Sequence, residues 1–152
     1  MTISFSPILN QNDQFTQMAG IHRQLFDVAW SAASIAAMFE PKTAYRGSLV
    51  LDDDKIIGFI ICSIVLDEAE IISMAIEKAF QQNGYGRLLL AYEIETLNKL
   101  AVKRLFLEVS EHNSAAQKLY TSMGFQRLAK RNNYYKQPDG TFADALVLSC
   151  DL

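Results

Sequence analysis

The sequence predicts a mixed α/β fold: a mostly antiparallel sheet with helices on both faces. Three observations lead there. The first half carries short alternating apolar runs broken by acidic turns, the pattern of a strand meander. The second half places a helix after a strand twice, which brings helices onto the sheet. The chain has 152 residues, 50% hydrophobic and 20% charged, enough to bury one core and short for two. A single domain over 1–152 is therefore expected.

Taken in order, Ile3 to Leu9 alternates and reads as the first strand. Asp13 to Trp30 reads as a helix, with Phe15, Met18, Ile21, Leu25 and Val28 on one stripe. Ser31 is placed to cap a second, short helix ending at Phe39. Arg46 to Leu51 and Lys55 to Leu66 form a hairpin around Asp52-Asp53-Asp54, a solvated tip. After a turn over Asp67 to Glu70, Ile71 to Ile76 is the next strand. Gly84 to Val102 is a helix with Leu90, Ile94, Leu97 and Ala101 on one face. Arg104 to Val109 is a strand, and Asn113 to Met123 a helix stopped by Gly124. Phe125 to Leu128, Tyr134-Tyr135 and Ala143 to Leu148 complete the sheet.

Composition narrows the function. There are 14 basic against 17 acidic residues, a net charge of −3, and no basic surplus for a phosphate backbone, so direct nucleic-acid binding is not expected. Cys62 and Cys150 lie far apart in apolar surroundings, which suits free thiols in a reducing cytoplasm and neither a disulfide framework nor a metal site. His22 and His112 have no partner at metal spacing and read as surface residues. Met1 to Asn10 lacks the charged and apolar regions of a signal peptide. Ile56 to Leu66 is too short to span a bilayer, so no membrane partner is expected.

One loop carries chemistry. Gln81-Gln82-Asn83-Gly84-Tyr85-Gly86-Arg87 joins a strand to a strong helix. Glycines there let backbone approach a ligand, and the free N–H groups at a helix start form an anion site, with Arg87 as a further charge-assisted donor. A tight turn that needs glycine explains the same residues equally well. Arg87-Leu88 after Gly86 excludes a P-loop. Leu89 stands where a dinucleotide fingerprint has its third glycine, although Glu108 nearly supplies the acid such a site uses.

The stretch from Asn113 to Phe125 separates these readings. It reads Asn-x-x-Ala-x-x-Leu-Tyr-x-x-x-Gly-Phe, and it follows Gln81-x-x-Gly84-x-Gly86 across an intervening strand. Together the two resemble the pyrophosphate and late-helix motifs of the GCN5-related N-acetyltransferase (GNAT) superfamily. Leu107-Glu108-Val109, Arg131-Asn132-Asn133-Tyr134-Tyr135, Asp139-Gly140, Asp144-Ala145 and Phe26 with Trp30-Ser31 narrow the resemblance. They are similar to the bacterial enzymes of that superfamily that acetylate the N-terminal alanine of a ribosomal protein. Gln82 and Asn83 stand where a basic residue is common in the loop, and Ala29 where a proline often precedes the tryptophan.

The resemblance implies a GNAT fold whose two neighbouring parallel strands splay apart. It implies acetyl-CoA as co-substrate, no metal, and a protein N-terminus, a ribosomal protein's alanine, as acceptor in the cytoplasm. Met74, Ala75 and Ile76 would offer backbone groups to the pantetheine arm. Gln82, Asn83, Gly84, Tyr85, Gly86 and Arg87 would hold the pyrophosphate. Asn113 would contact the arm beside its work as a helix cap. Glu108 would accept the amine's proton through water, and Tyr120 would donate to the thiolate. By residue pattern alone Glu108 is a strand-end carboxylate and Tyr120 a core tyrosine. Lys130-Arg131 reads as surface charge, and Trp30 with Tyr134-Tyr135 as core or groove lining. A GNAT enzyme acting on a lysine, polyamine or antibiotic, and a silent acyl-CoA-binding module, are the alternatives.

Overall fold

The structure is a computed structural model describing residues 1–152. Its strands are β1 (Ile3–Pro7), β2 (Tyr45–Asp52), β3 (Lys55–Val65), β4 (Glu68–Ile76), β5 (Arg104–Ser110), β6 (Gln126–Lys136) and β7 (Phe142–Asp151). They form one seven-stranded sheet in the order β1-β2-β3-β4-β5-β7-β6. Every neighbouring pair is antiparallel except β4 and β5. The helices are α1 (Asn12–Leu25), α2 (Ala32–Met38), α3 (Tyr85–Lys99) and α4 (Ser114–Ser122). The mixed sheet with helices on both faces is as the sequence predicts.

Two cores lie on the two faces. Beneath α1 and α2, Phe15, Met18, Ile21 and Ile35 pack on Leu49, Phe59, Ile61 and Ala75 of the sheet. On the opposite face, Leu89, Leu90 and Leu97 of α3 and Tyr120 of α4 pack on Val50, Ile60, Cys62, Leu105 and Leu107. Leu105, Leu107 and Val109 face the α3/α4 core, so Phe106 and Glu108 point to the α1/α2 side, as strand alternation requires.

The helix ends show where periodicity misleads. The apolar stripe predicts α1 as far as Trp30, but it stops at Leu25. Phe26 is extended (φ −123°, ψ 136°), and Val28 is 82% exposed. The chain folds back there so that the Phe26 and Trp30 rings stack on His22, with centroids 4.2 and 4.6 Å away. α3 ends at Lys99, short of Val102. Ala101 takes a left-handed φ of 61°, and Val102 N–H donates to the Leu97 carbonyl, closing the helix end. Ser31 caps α2 by accepting from Ser34 N–H, and Asn113 caps α4 by accepting from Ala116 N–H. Gly124 follows α4 with φ 93°, the stop expected of it.

The last hairpin is longer than predicted. Arg131 pairs with Ala145, yet Tyr135 pairs with Ala143, so Asn132 to Tyr134 bulge out of β6. Asn133, at φ 54°, donates its N–H to the Asp144 carboxylate at 2.8 Å, which pins the bulge.

Candidate active site

The parallel pair is short. Glu68, Ala69 and Glu70 of β4 pair with Arg104, Leu105 and Phe106 of β5, and the two strands then part. The inner edge of β4 stays paired with β3 as far as Ile76 opposite Gly58. Its outer edge, through Met74, Ala75 and Ile76, is left without a strand partner. The register also shifts inside β4: Ile71 opposes Cys62, but Ser73 opposes Ile61, so Ile72 is an extra residue. This bulge turns the strand over. Ala69 and Ile71 belong to the α3/α4 core, whereas Ala75 belongs to the α1/α2 core.

The gap opens a cleft of about 420 Å³. Ile71 to Met74 of β4 and Leu107 to Ser110 of β5 form its sides. Asn113, which caps α4, Ala116, Leu119 and Tyr120 of α4, Phe26 after α1 and Tyr135 of β6 complete its lining. Glu108 and Tyr120 thus share one cavity, Glu108 from the α1/α2 face of the sheet and Tyr120 from the α3/α4 face.

Tyr120 is 8% exposed and meets Phe125 edge-to-face at 5.5 Å. Burial, then the nearby Cys62 thiol and Tyr135 phenol, push its hydroxyl up to about 12. It is therefore a firmly protonated donor at neutral pH. Glu108 Oε1 accepts from Arg131 Nη1 at 2.6 Å. The guanidinium in turn lies 4.1 Å from the centre of the Tyr134 ring, and Tyr134 meets Tyr135 edge-to-face at 5.0 Å. The β6 bulge so delivers Arg131 to the candidate base. Reading Lys130-Arg131 as ordinary surface charge is corrected here: Arg131 pairs with Glu108, and Lys130 with Asp144 at 2.8 Å.

The glycine loop leads away from the open end of β4. After a 3₁₀ turn over Lys78–Phe80, Gly84 takes φ 82° and precedes α3. No N–H from Gln82 through Arg87 donates to a protein carbonyl or side chain; the first bond of the helix runs from Leu88 N–H to Gly84. The side chains hold this shape. Gln81 Nε2 donates to the Ile76 carbonyl at 3.0 Å, and Asn83 Nδ2 to the Phe80 and Gln81 carbonyls at 3.2 and 3.0 Å. Arg87 Nη1 donates to Ser122 Oγ at 2.6 Å, tying α3 to α4. At Gly86, an added Cβ would stand 3.6 Å from Met74 Cε and 3.9 Å from Leu119 Cδ2, so the loop lies directly against the open strand edge.

His22, expected at the surface, is 2% exposed. Its Nδ1 accepts from Trp30 N–H at 3.0 Å, which holds the wall bearing Phe26. Burial lowers its pKa from the ordinary 6.5. Protonation would place a proton on the accepting nitrogen and a charge between two rings. The folded state thus binds this proton less readily than the unfolded chain, so stability is held above pH 6.5 and lost as pH falls below it. Thermal melts at pH 7.5 and 5.5 are expected to show a larger drop for the wild type than for His22→Gln; equal drops would remove His22 as the cause.

His112 is exposed, as expected. No helix is long and apolar enough to cross a membrane. Ser73 lines the cleft without any motif to mark it; a serine in an apolar strand stands out in no pattern.

Comparison with known proteins identifies the family. The Acetyltransferase (GNAT) family matches residues 15–125. The [ribosomal protein bS18]-alanine N-acetyltransferase of Haemophilus ducreyi is 35% identical over 135 residues, covering 89% of this chain and 92% of that one. Its counterpart from Haemophilus influenzae is 37% identical over 138 residues, 91% of this chain and 92% of that one. The crystal structure of the ribosomal-protein-S18-alanine N-acetyltransferase from Escherichia coli superposes with a TM-score of 0.89 at 30% identity, covering 99% of this chain and 94% of that chain. The chain belongs to the GNAT family and is an acetyl-CoA-dependent N-acetyltransferase.

Proposed function

We propose that the chain transfers the acetyl group of acetyl-CoA to the α-amine of a protein N-terminus, with the N-terminal alanine of ribosomal protein bS18 as acceptor. The observation that carries the chemistry is the single cleft between β4 and β5 that receives Glu108 and Tyr120 from opposite faces. The relatives carry the acceptor: their similarity spans about nine-tenths of both chains and includes the elements around the cleft. A cytoplasmic location accompanies this substrate.

Acetyl-CoA fits the residues present. Along the bare edge of β4 from Met74 through Ala75 to Ile76, the N–H and carbonyl of Met74 and the N–H of Ile76 face outward and are offered to the amides of the pantetheine arm, with Asn113 beside them. The unpaired N–H groups from Gln82 through Gly84 and Tyr85 to Gly86 and Arg87 offer donors to a pyrophosphate. The thioester then approaches Tyr120 from the α3/α4 side, and the amine approaches Glu108 from the α1/α2 side.

In the reaction the amine nitrogen attacks the thioester carbon, the N–C bond forms and the C–S bond breaks. Glu108 takes the proton that nitrogen must lose, directly or through one water. An α-amine has a reference pKa of about 7.7–8.0, so freeing its lone pair at pH 7 costs about 1–1.4 kcal/mol; a lysine costs about 4.6 kcal/mol. A solvent-accessible carboxylate suits the first task better. The sulfur leaves as a thiolate near the Tyr120 hydroxyl. With that hydroxyl at about 12 and a thiol near 8.5, full proton transfer is uphill by about 5 kcal/mol. Tyr120 therefore acts as a hydrogen-bond donor whose bond strengthens as charge develops on sulfur.

Intact-mass analysis tests the reading. A peptide with the bS18 alanine N-terminus is expected to gain one acetyl group with enzyme and acetyl-CoA. An N-terminally blocked copy with an internal lysine is expected to gain none. Acetylation of the blocked peptide alone would redirect the assignment to lysine; acetyl-CoA binding without transfer to either would leave a silent binding module.

A further inference from the structure

We propose that the Ser73 hydroxyl is a direct contact of the acceptor amine, fixing its orientation for attack; this rests on the amine-acetylation reading above. Ser73 is 8% exposed, and its Oγ has no hydrogen-bond partner. Among the residues lining the cleft, it alone has a buried side-chain polar atom in that state. A buried hydroxyl left without a partner is unfavourable, so a ligand that supplies one is favoured there. The other fully buried serine of the sheet, Ser48, avoids the cost by donating to Glu93.

The β4 bulge determines which way Ser73 points. Past Ile72, Met74 and Ile76 pack toward the α3/α4 core while Ala75 lies in the α1/α2 core, so Ser73 shares the face of Ala75. Glu108 occupies that same face on the other side of the gap, and both line the cleft. The thioester's donor, Tyr120, belongs to the opposite face. The ligand that meets Ser73 is therefore the amine. A neutral amine has two N–H groups and one lone pair. With one N–H donated to Ser73 Oγ and the other directed to Glu108, the lone pair is left for the thioester carbon. Two fixed contacts remove most of the rotational freedom of the nucleophile, which is where such positioning gains rate.

The test uses the full chain with Ser73→Ala and Ser73→Thr. The acceptor is whichever the wild type acetylates fastest among the alanine peptide, the blocked lysine peptide and spermidine. Ser73→Ala is expected to lower kcat/KM for the acceptor by fivefold or more. Its KM for acetyl-CoA should be unchanged and its melting temperature equal or higher, because an orphaned hydroxyl has been removed. Ser73→Thr, which keeps the hydroxyl, is expected to retain activity within threefold. A smaller loss in Ser73→Ala, a fall in its melting temperature with weaker acetyl-CoA binding, or an equally inactive Ser73→Thr would overturn the proposal. Preference for lysine or spermidine would overturn the α-amine reading while leaving the Ser73 comparison intact; transfer to none of the three would overturn both.

Discussion

Glu108→Gln is expected to lower kcat on the alanine peptide by about 10²–10⁴-fold at pH 7, the usual range for loss of a positioned general base. The substitution keeps the shape of the side chain and an oxygen that can accept from Arg131 Nη1, so the wall of the cleft is retained and only the base is lost. Two controls separate chemistry from damage. Acetyl-CoA binding should be unchanged, since the donor side of the cleft is built by α3, α4 and the β4 edge. Raising the pH toward 9 should recover part of the rate, because the α-amine, with a reference pKa of about 7.7–8.0, then sheds its proton unaided. A variant within threefold of wild type at pH 7 would remove Glu108 from the mechanism.

The largest effect on stability is expected at Glu93. Its side chain is fully buried within α3, where it accepts from Arg46 Nε at 2.8 Å, from Arg46 Nη2 at 3.2 Å and from the Ser48 hydroxyl. Glu93→Ala leaves the Arg46 guanidinium largely out of water with only Ser48 beside it. Stranding one member of a buried pair costs about 3–5 kcal/mol. For a chain of this size that lowers the melting temperature by about 10 °C. Arg46→Leu with Glu93→Leu should recover most of the loss, since well-packed apolar side chains replace buried pairs at little cost. Circular-dichroism melts read both. A single variant within 1 kcal/mol of wild type, or a double variant as unstable as the single, would show that the pair is not what holds α3 to the sheet.

These two residues differ in how far the sequence announces them. Glu108 stands at the end of an alternating strand between two motifs, so its face and its neighbourhood are legible. Glu93 looks like a solvent residue on a charged helix, because nothing local reveals that Arg46, 47 positions earlier, faces it across β2. The strands and caps were readable wherever the cause is local: Ser31, Asn113 and Gly124 act as their residue types predict. Legibility failed where tertiary contacts decide. The apolar stripe of α1 runs on to Val28, but the stacking of Phe26 and Trp30 on His22 ends the helix at Leu25 and buries a histidine read as exposed. Arg131 looked like surface charge because the three-residue bulge that aims it at Glu108 has no clear sequence mark. Ser73 owes its setting to the extra residue in β4, a shift of register that alternating hydrophobicity cannot reveal.

The parting of β4 from β5 makes the cleft a passage between the two faces of the sheet. On the proposed reading, acetyl-CoA is held by α3, α4 and the glycine loop, and the amine meets the turn after α1 and β6. A substitution at Phe26, on the wall away from the glycine loop, is therefore expected to change which amine is accepted more than how the acetyl group is delivered.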